Sequence, residues 1–195
     1  PIEKFLTEDI KTTGVIGCGG LGHMAIQFLH KLGKHVTVFT TSEKKKDLLK
    51  QLGADKIIIS TDPKQMKEAG QSIEFLINTI PSNIDFEPYV ECIESGGKFV
   101  QVGMPAQNDT LKLNINNLVE REIEIVGSLV GPRHTINKMI EFCAKNDVYP
   151  IVEEYSFEEL PKAFEKLEHG KPHFRCVVNV KDYEFYGSFM VNSVY

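Results

Sequence analysis

The chain has 195 residues, of which 42% are apolar and 25% are charged, and this balance is typical of a globular protein. Its net charge of −5 disfavours nucleic acid as a general partner. No apolar run reaches about 18 residues, so we expect neither a membrane span nor a signal peptide.

Strands and helices alternate along the chain from residue 12 onwards. After a linker helix in residues 1–11, the strands are predicted at 12–16, 35–40, 56–60, 74–78, 98–102 and 122–128. The helices are predicted at 21–32, at 43–52 with Ser42 as N-cap, after Pro63, at 86–93 and at 132–146. The strands are continuous apolar runs, which indicates a parallel sheet buried on both faces. The predicted class is α/β, with a doubly wound, six-stranded parallel Rossmann sheet.

The pattern gives less structure in two places. The segment 103–117, which joins the fifth and sixth strands, carries no firm helix signal. After Pro150 we predict a strand at 152–155, a helix that starts with a capping box at 156–159 and ends near Gly170, and a strand at 176–180. The tail, 183–195, is interpreted as either disordered or a contact for a partner.

The glycine-rich segment Gly17–Gly22 lies between the first strand and the first helix. Gly17 permits a tight turn, Gly19 lets a pyrophosphate approach the backbone, and Gly22 lets the helix lie near the strand. The free N–H groups at the helix start then attract phosphate. The segment therefore predicts a dinucleotide site, and the alternative is a glycine turn that binds nothing.

The end of the second strand bears on the choice of cofactor. An acidic residue there would hold the adenosine ribose and exclude a 2′-phosphate. The chain has Thr40 and Thr41 at this point and Lys44 just beyond, so hydroxyl and ammonium groups favour NADP over NAD. Glu43 is a counter-signal, and the alternative is a helix start with solvated lysines.

The four cysteines, at positions 18, 92, 143 and 176, are irregularly spaced and form no CxxC pair. They favour reduced thiols in a cytoplasmic protein and disfavour a zinc site within this chain. Because residue 1 is proline, we expect a piece of a longer chain or a processed product.

Four segments carry a resemblance to a known family: GVIGCGGLGHMAIQF, TVFTTSEKKKDLLKQLGAD, GGKFVQVGMP and EIVGSLVG. Over about residues 1–181 the chain resembles the zinc-type medium-chain alcohol dehydrogenases, and within them the cinnamyl alcohol dehydrogenase-like branch. The resemblance implies an oxidoreductase that interconverts primary alcohols and aldehydes by hydride transfer with NADP.

The resemblance also implies roles for individual residues. The pyrophosphate would bind to Gly17, Gly19, Gly20, Leu21 and Gly22. The 2′-phosphate would meet Thr40, Thr41 and Lys44. The rest of the cofactor would lie beside Thr79 and Ile80, with backbone groups near the nicotinamide from Val102, Gly103, Ser128, Leu129 and Val130. His23 is interpreted as a helix-start residue rather than a catalytic base.

The chain also departs from the family pattern. The family's catalytic domain precedes this region and supplies the zinc, and its zinc motifs are absent from residues 1–195. We therefore expect no catalytic residue in this chain and zinc only in that missing domain. The implied divisions are the linker helix 1–11, an NADP-binding domain at 12–148, a return segment of the catalytic domain at 149–181 and a tail at 182–195.

The remaining expectations concern partners. The resemblance implies a homodimer formed through the sixth strand and, at full length, a small alcohol or aldehyde substrate. Two alternatives stay open. One is a non-catalytic scaffold or assembly protein derived from a dehydrogenase, and the weaker one is a zinc-independent quinone reductase relative.

Overall fold

The computed structural model describes residues 1–82, 84–106, 110, 112–169 and 174–180. These residues belong to two compact units, Pro1–Tyr149 and Pro150–Tyr195. The predicted tail, 182–195, lies outside the described residues. Among the described residues, no helix combines the length and the apolarity needed to cross a bilayer.

The first unit contains a parallel sheet with the strand order β3-β2-β1-β4-β5-β6. Its strands are β1 (Thr12–Ile16), β2 (His35–Thr40), β3 (Lys56–Ile59), β4 (Ile73–Asn78), β5 (Ile93–Gln101) and β6 (Glu124–Gly127). The chain order reverses direction between β1 and β4, so the doubly wound α/β class is confirmed. In such sheets ligands bind at the carboxyl ends of the strands beside the reversal.

The helices of this unit flank the sheet. They are α1 (Ile2–Phe5), α2 (Gly22–Lys31), α3 (Lys46–Gln51), α4 (Pro63–Glu68), α5 (Glu87–Val90), α6 (Ile115–Glu120) and α7 (Arg133–Asn146). The bounds differ from the sequence prediction at several places, and β6 is shorter at both ends than the predicted strand 122–128. Helix α5 is shorter, β5 begins five residues earlier at Ile93, a 3-10 turn at Glu43–Lys45 precedes α3, and α6 lies partly in the segment predicted without a helix.

The core explains why the strands form where they do. The central strands β1 and β2 bury nearly all their side chains, and their apolar members are less than about one-tenth exposed. Phe39 of β2 packs edge-on against Tyr89, with ring centroids 5.4 Å apart. On β5, Phe99 packs in the same way against Phe86 at 5.8 Å. These contacts hold the strand ends that carry the candidate site.

The second unit is described by itself. Strand β7 (Val152–Ser156) pairs in parallel with β8 (Arg175–Asn179), and helix α8 (Leu160–Glu168) lies between them in the chain. The N–H group of Ser156 donates to Glu159 Oε2 at 3.2 Å, and the N–H group of Glu159 donates to the carbonyl oxygen of Ser156. The predicted capping sequence thus forms a turn, and α8 begins after it.

Candidate functional site

The turn after β1 needs a glycine at its first position. Gly17 has a φ of +83°, in the left-handed region that favours glycine, and its N–H group donates to the carbonyl oxygen of Phe39 at 3.0 Å. A Cβ atom added to Gly17 would lie 2.8 Å from Cγ1 of Ile80. The turn is therefore fixed both by its backbone conformation and by the loop after β4.

Two further glycines differ in what surrounds them. A Cβ atom added to Gly22 would overlap the carbonyl oxygen of Gly17 and would lie 3.0 Å from Oγ1 of Thr79. A Cβ atom added to Gly19 would meet no protein atom within 4 Å. Gly22 is thus required for helix α2 to pack against the turn, whereas Gly19 borders open space. A side chain at position 19 would extend into this open space.

The start of helix α2 leaves donors free. Within the described residues, the N–H groups of Gly20, Leu21 and Gly22 have no protein acceptor. The carbonyl oxygen of Gly19 accepts from the N–H group of His23 and contacts His23 Nδ1, both at 3.1 Å. His23 is fully buried, so its side chain belongs to the packing at the start of α2. Free amides at the positive end of a helix dipole form a natural anion site.

The end of β2 supplies polar groups beside this turn. Thr40 is buried, and its Oγ1 atom accepts from the N–H group of Ser42 at 3.2 Å, while Thr41 and Lys44 are exposed. Glu43 forms an ion pair with Lys46 at 3.2 Å, and this pairing offsets the negative charge that would repel a phosphate.

Lys45 is the residue that the sequence interpretation missed. Its Nζ atom donates to the carbonyl oxygen of Cys18 at 3.4 Å, so this lysine, rather than Lys44, reaches the glycine turn. The signal was present in the run of three lysines at 44–46. Which of the three points to the turn depends on the 3-10 geometry of Glu43–Lys45, which a charge pattern does not specify.

Cys18 lies within the glycine turn, and its side chain is only 6% exposed. Burial raises the pKa of its thiol to about 11, although the positive charge of Lys45 acts in the opposite direction. The thiol is therefore protonated at neutral pH and is a poor nucleophile.

The loops after β4 and β5 touch each other and the glycine turn. The Thr79 hydroxyl donates to the carbonyl oxygen of Ile16 at 2.9 Å, beneath the turn. A Cβ atom added to Gly103 would overlap the backbone of Ile80. The N–H groups of Val102 and Gly103 both donate to the carbonyl oxygen of Asn78 at 3.0 Å. These two amides are already used, so they are not free to bind a ligand.

The loop after β6 completes the carboxyl edge of the sheet. The N–H group of Ser128 donates to the carbonyl oxygen of Gln101 at 2.9 Å and extends the pairing of β5 with β6. Leu129 and Val130 follow, and their side chains are 72% and 87% exposed. The predicted site residues therefore lie at the carboxyl ends of β1, β2, β4, β5 and β6. The described contacts join the loops after β1, β4 and β5 directly.

The donor set of this edge fits a dinucleotide phosphate but not a metal ion. Open space at Gly19, three free amides and a nearby ammonium group suit a phosphate. Within the described part of the chain, no group of three or more histidine, cysteine, aspartate or glutamate residues could hold a metal ion. The described residues therefore do not form a zinc-binding site by themselves.

The strand order, the reversal at β1 and the glycine turn before α2 define a Rossmann-type domain. Residues 20–145 match the family model described as zinc-binding dehydrogenase, and the chain belongs to that family.

Similar proteins come from the cinnamyl alcohol dehydrogenase branch. A putative cinnamyl alcohol dehydrogenase from Oryza sativa is 37% identical over 93% of this chain and 51% of its own length. An aldehyde reductase from Synechocystis is 34% identical over 92% of this chain and 53% of its own length. The chain thus spans about half the length of the curated relatives it matches.

Solved structures agree with these relatives. A cinnamyl alcohol dehydrogenase from Sorghum bicolor superposes with a TM-score of 0.85 and 29% identity, over 94% of this chain and 52% of that chain. A Helicobacter pylori enzyme of the same name, solved with NADP(H), gives a TM-score of 0.80 and 27% identity over 93% and 51%. The resemblance found in the sequence is confirmed.

Proposed function

We propose that this chain is the NADP(H)-binding part of an oxidoreductase that interconverts primary alcohols and aldehydes by hydride transfer. The observation that carries the proposal is the glycine turn, whose free amides lie beside the ammonium group of Lys45, with threonines in place of an acidic residue after β2. The NADP(H) bound to the similar Helicobacter pylori enzyme supports the same cofactor.

The residues would divide the cofactor between them. The pyrophosphate would lie on the amides of Gly20, Leu21 and Gly22, against the open space at Gly19. The 2′-phosphate would accept hydrogen bonds from Thr41 and from Lys44 or Lys45. The nicotinamide would lie toward the loops after β4, β5 and β6, where Thr79, Ile80, Val102, Gly103, Ser128, Leu129 and Val130 were predicted.

The bound nicotinamide would supply or accept the hydride. The contribution of this chain is to bind the cofactor and to orient its ring, because the loops after β4 and β5 are locked together by hydrogen bonds.

Titration calorimetry of the 195-residue chain with NADPH and NADH tests the proposal. We expect NADPH to bind more tightly, because the lysines after β2 attract the extra phosphate. Equal affinities would refute the assignment of NADP. No binding of either nucleotide would instead favour a scaffold derived from a dehydrogenase.

We further propose a homodimer formed through β6. Within the described residues this strand pairs with β5 alone and leaves its other edge open, and open edges pair readily with another strand.

The four free cysteines also support a reducing, cytoplasmic location.

A further inference from the structure

Two side-chain amides connect the loop after β4 to the loop after β5. Asn78 and Gln101 lie opposite each other at the carboxyl ends of these two strands. The N–H group of Ile80 donates to Asn78 Oδ1 at 3.1 Å, Asn78 Nδ2 donates to Gln101 Oε1 at 2.8 Å, and Gln101 Nε2 donates to the carbonyl oxygen of Gly103 at 2.5 Å.

The three hydrogen bonds run in one direction. Each amide accepts from the loop or residue before it and donates to the one after it, so the bonds polarise one another and strengthen the chain. Asn78 is completely buried, and a buried amide without partners costs stability. These three hydrogen bonds, from Ile80 through Asn78 and Gln101 to Gly103, are called the amide relay below. The relay has one low-energy arrangement, and that arrangement fixes the peptide groups of Ile80 and Gly103.

The backbone between the two loops adds to this constraint. Gly103 packs so closely on Ile80 that no side chain fits between them, and both amides of Val102 and Gly103 converge on the carbonyl oxygen of Asn78. Asn78 thus contacts both loops through its main chain and its side chain. A rotation of either loop would break several of these bonds together.

We propose that Asn78 and Gln101 are positioning residues that hold the two loops in the orientation required by the nicotinamide end of the cofactor. This inference rests on the proposed binding of NADP(H). Neither side chain needs to touch the cofactor, because each acts on the backbone of a loop that does.

The proposal predicts an effect on one end of the cofactor only. Strands β1 and β4 separate β2 from β5, which places the Asn78–Gln101 pair roughly 10–15 Å from the end of β2. Adenosine 2′,5′-bisphosphate carries the adenosine and the 2′-phosphate but lacks the nicotinamide. Loss of the relay should therefore weaken NADPH binding and leave the binding of this shorter nucleotide unchanged.

Gln101→Leu removes the relay while keeping a side chain of similar size. We expect about three- to tenfold weaker binding of NADPH by calorimetry, since one positioned hydrogen-bond network is lost. Binding of adenosine 2′,5′-bisphosphate should change less than about twofold. The fluorescence of bound NADPH should shift toward that of the free nucleotide, because the ring is held less firmly.

Gln101→Glu provides a conservative variant with a pH readout. A carboxylate can accept from Asn78 but cannot donate to Gly103, whereas a protonated carboxyl can do both. The NADPH affinity of this variant, relative to the unmodified chain at the same pH, should be reduced at neutral pH and should recover as the pH is lowered toward about 4.3, the ordinary pKa of a glutamate side chain. A purely structural role gives no such recovery.

Glu74→Leu is the matched control, because Glu74 also links neighbouring strands through a side chain but at the amino end of the sheet. This variant should lower the stability of the chain, but it should change the affinities for NADPH and for adenosine 2′,5′-bisphosphate by the same factor. Equal losses for both nucleotides with Gln101→Leu, or no loss for either, would overturn the positioning role. If the unmodified chain itself fails to bind NADPH, the proposed function fails as well.

Discussion

The Nζ atom of Lys45 lies 3.4 Å from the carbonyl oxygen of Cys18, so the lysine that follows β2 reaches the glycine turn that follows β1. This ammonium group therefore connects the segment after β2, where the proposed NADP would carry its 2′-phosphate, with the glycine turn. Because Lys46 is paired with Glu43, it is less available for this role than Lys45.

Lys45→Met should reduce the affinity for NADPH by about tenfold or more, because a charge-assisted hydrogen bond is lost. The affinity for NADH should fall much less, and calorimetry with both nucleotides measures the difference. Lys50→Met, at an exposed position in α3, serves as a control for the loss of a positive charge. Equal losses for NADPH and NADH would contradict a role in 2′-phosphate recognition.

Gly19→Val and Gly22→Ala should separate binding from folding. Since a Cβ atom at position 19 meets no protein atom, Gly19→Val should keep the melting temperature within a few degrees while abolishing NADPH binding. Gly22→Ala should lower the free energy of unfolding by about 1–3 kcal/mol, because its methyl group collides with backbone. Retained affinity in Gly19→Val would disprove the phosphate assignment.

Glu74 should make the free energy of unfolding depend on pH in the acidic range. Burial tends to raise the pKa of Glu74, but hydrogen bonds from Thr12 and Lys11 outweigh it, and the pKa is lowered from its ordinary value of 4.5. Its contribution is thus fully present above pH 4.5 and is lost as the pH falls through the lower folded value.

Glu74→Gln tests this dependence. We expect the free energy of unfolding of this variant, measured with urea at neutral pH, to be about 1 kcal/mol lower than that of the unmodified chain. The difference from the unmodified chain should shrink in acid. A difference that stayed constant down to about pH 3 would argue against the lowered pKa.

Arg121 should contribute little to stability. Its Nε and Nη2 atoms are buried, and within the described part of the chain they have no hydrogen-bond partner. Arg121→Met should therefore leave the free energy of unfolding unchanged or raise it by up to about 1 kcal/mol. Arg133→Met, at an exposed position in α7, is the comparison, and a clear loss of stability in Arg121→Met alone would refute the prediction.

Gly127→Pro should weaken the proposed dimer. Ser128 directs its N–H group to β5, so by strand alternation the amide of Gly127 faces the open edge. An added Cβ atom at Gly127 meets nothing within 4 Å, which leaves the single chain undisturbed. Sedimentation should show a shift from dimer to monomer, and an unmodified chain that is already monomeric would exclude the dimer.

The central strands could be predicted from local sequence alone. The structure places β1 and β2 at the predicted residues, because each is mainly an apolar or β-branched run with a clear boundary: β1 ends before Gly17, and β2 begins after Gly33 and Lys34. The glycine turn could equally be predicted from the sequence, since the backbone conformation at Gly17 favours glycine.

Long-range contacts account for the differences. Helix α6 follows its N-cap Asn114, whose backbone N–H group donates to Glu87 Oε2 at 2.8 Å, a contact across 27 residues that no local pattern reveals. Strand β5 begins at Ile93 rather than at the predicted residue 98, and within this added part the N–H group of Gly96 donates to the carbonyl oxygen of Arg121 at 2.8 Å. The amide relay likewise depends on strand register, which is set by the assembled sheet.

The close crossing of Gly103 over Ile80 limits how this protein could be re-engineered. In a library with every amino acid at position 103, most variants would disrupt the contact between the two loops and lose stability. Their loss of activity would therefore reveal little about chemistry. Sequence diversity aimed at switching coenzyme preference is better placed at Thr41, Lys44 and Lys45, whose side chains are exposed to solvent. Laboratory evolution of this domain would therefore start from the adenosine side.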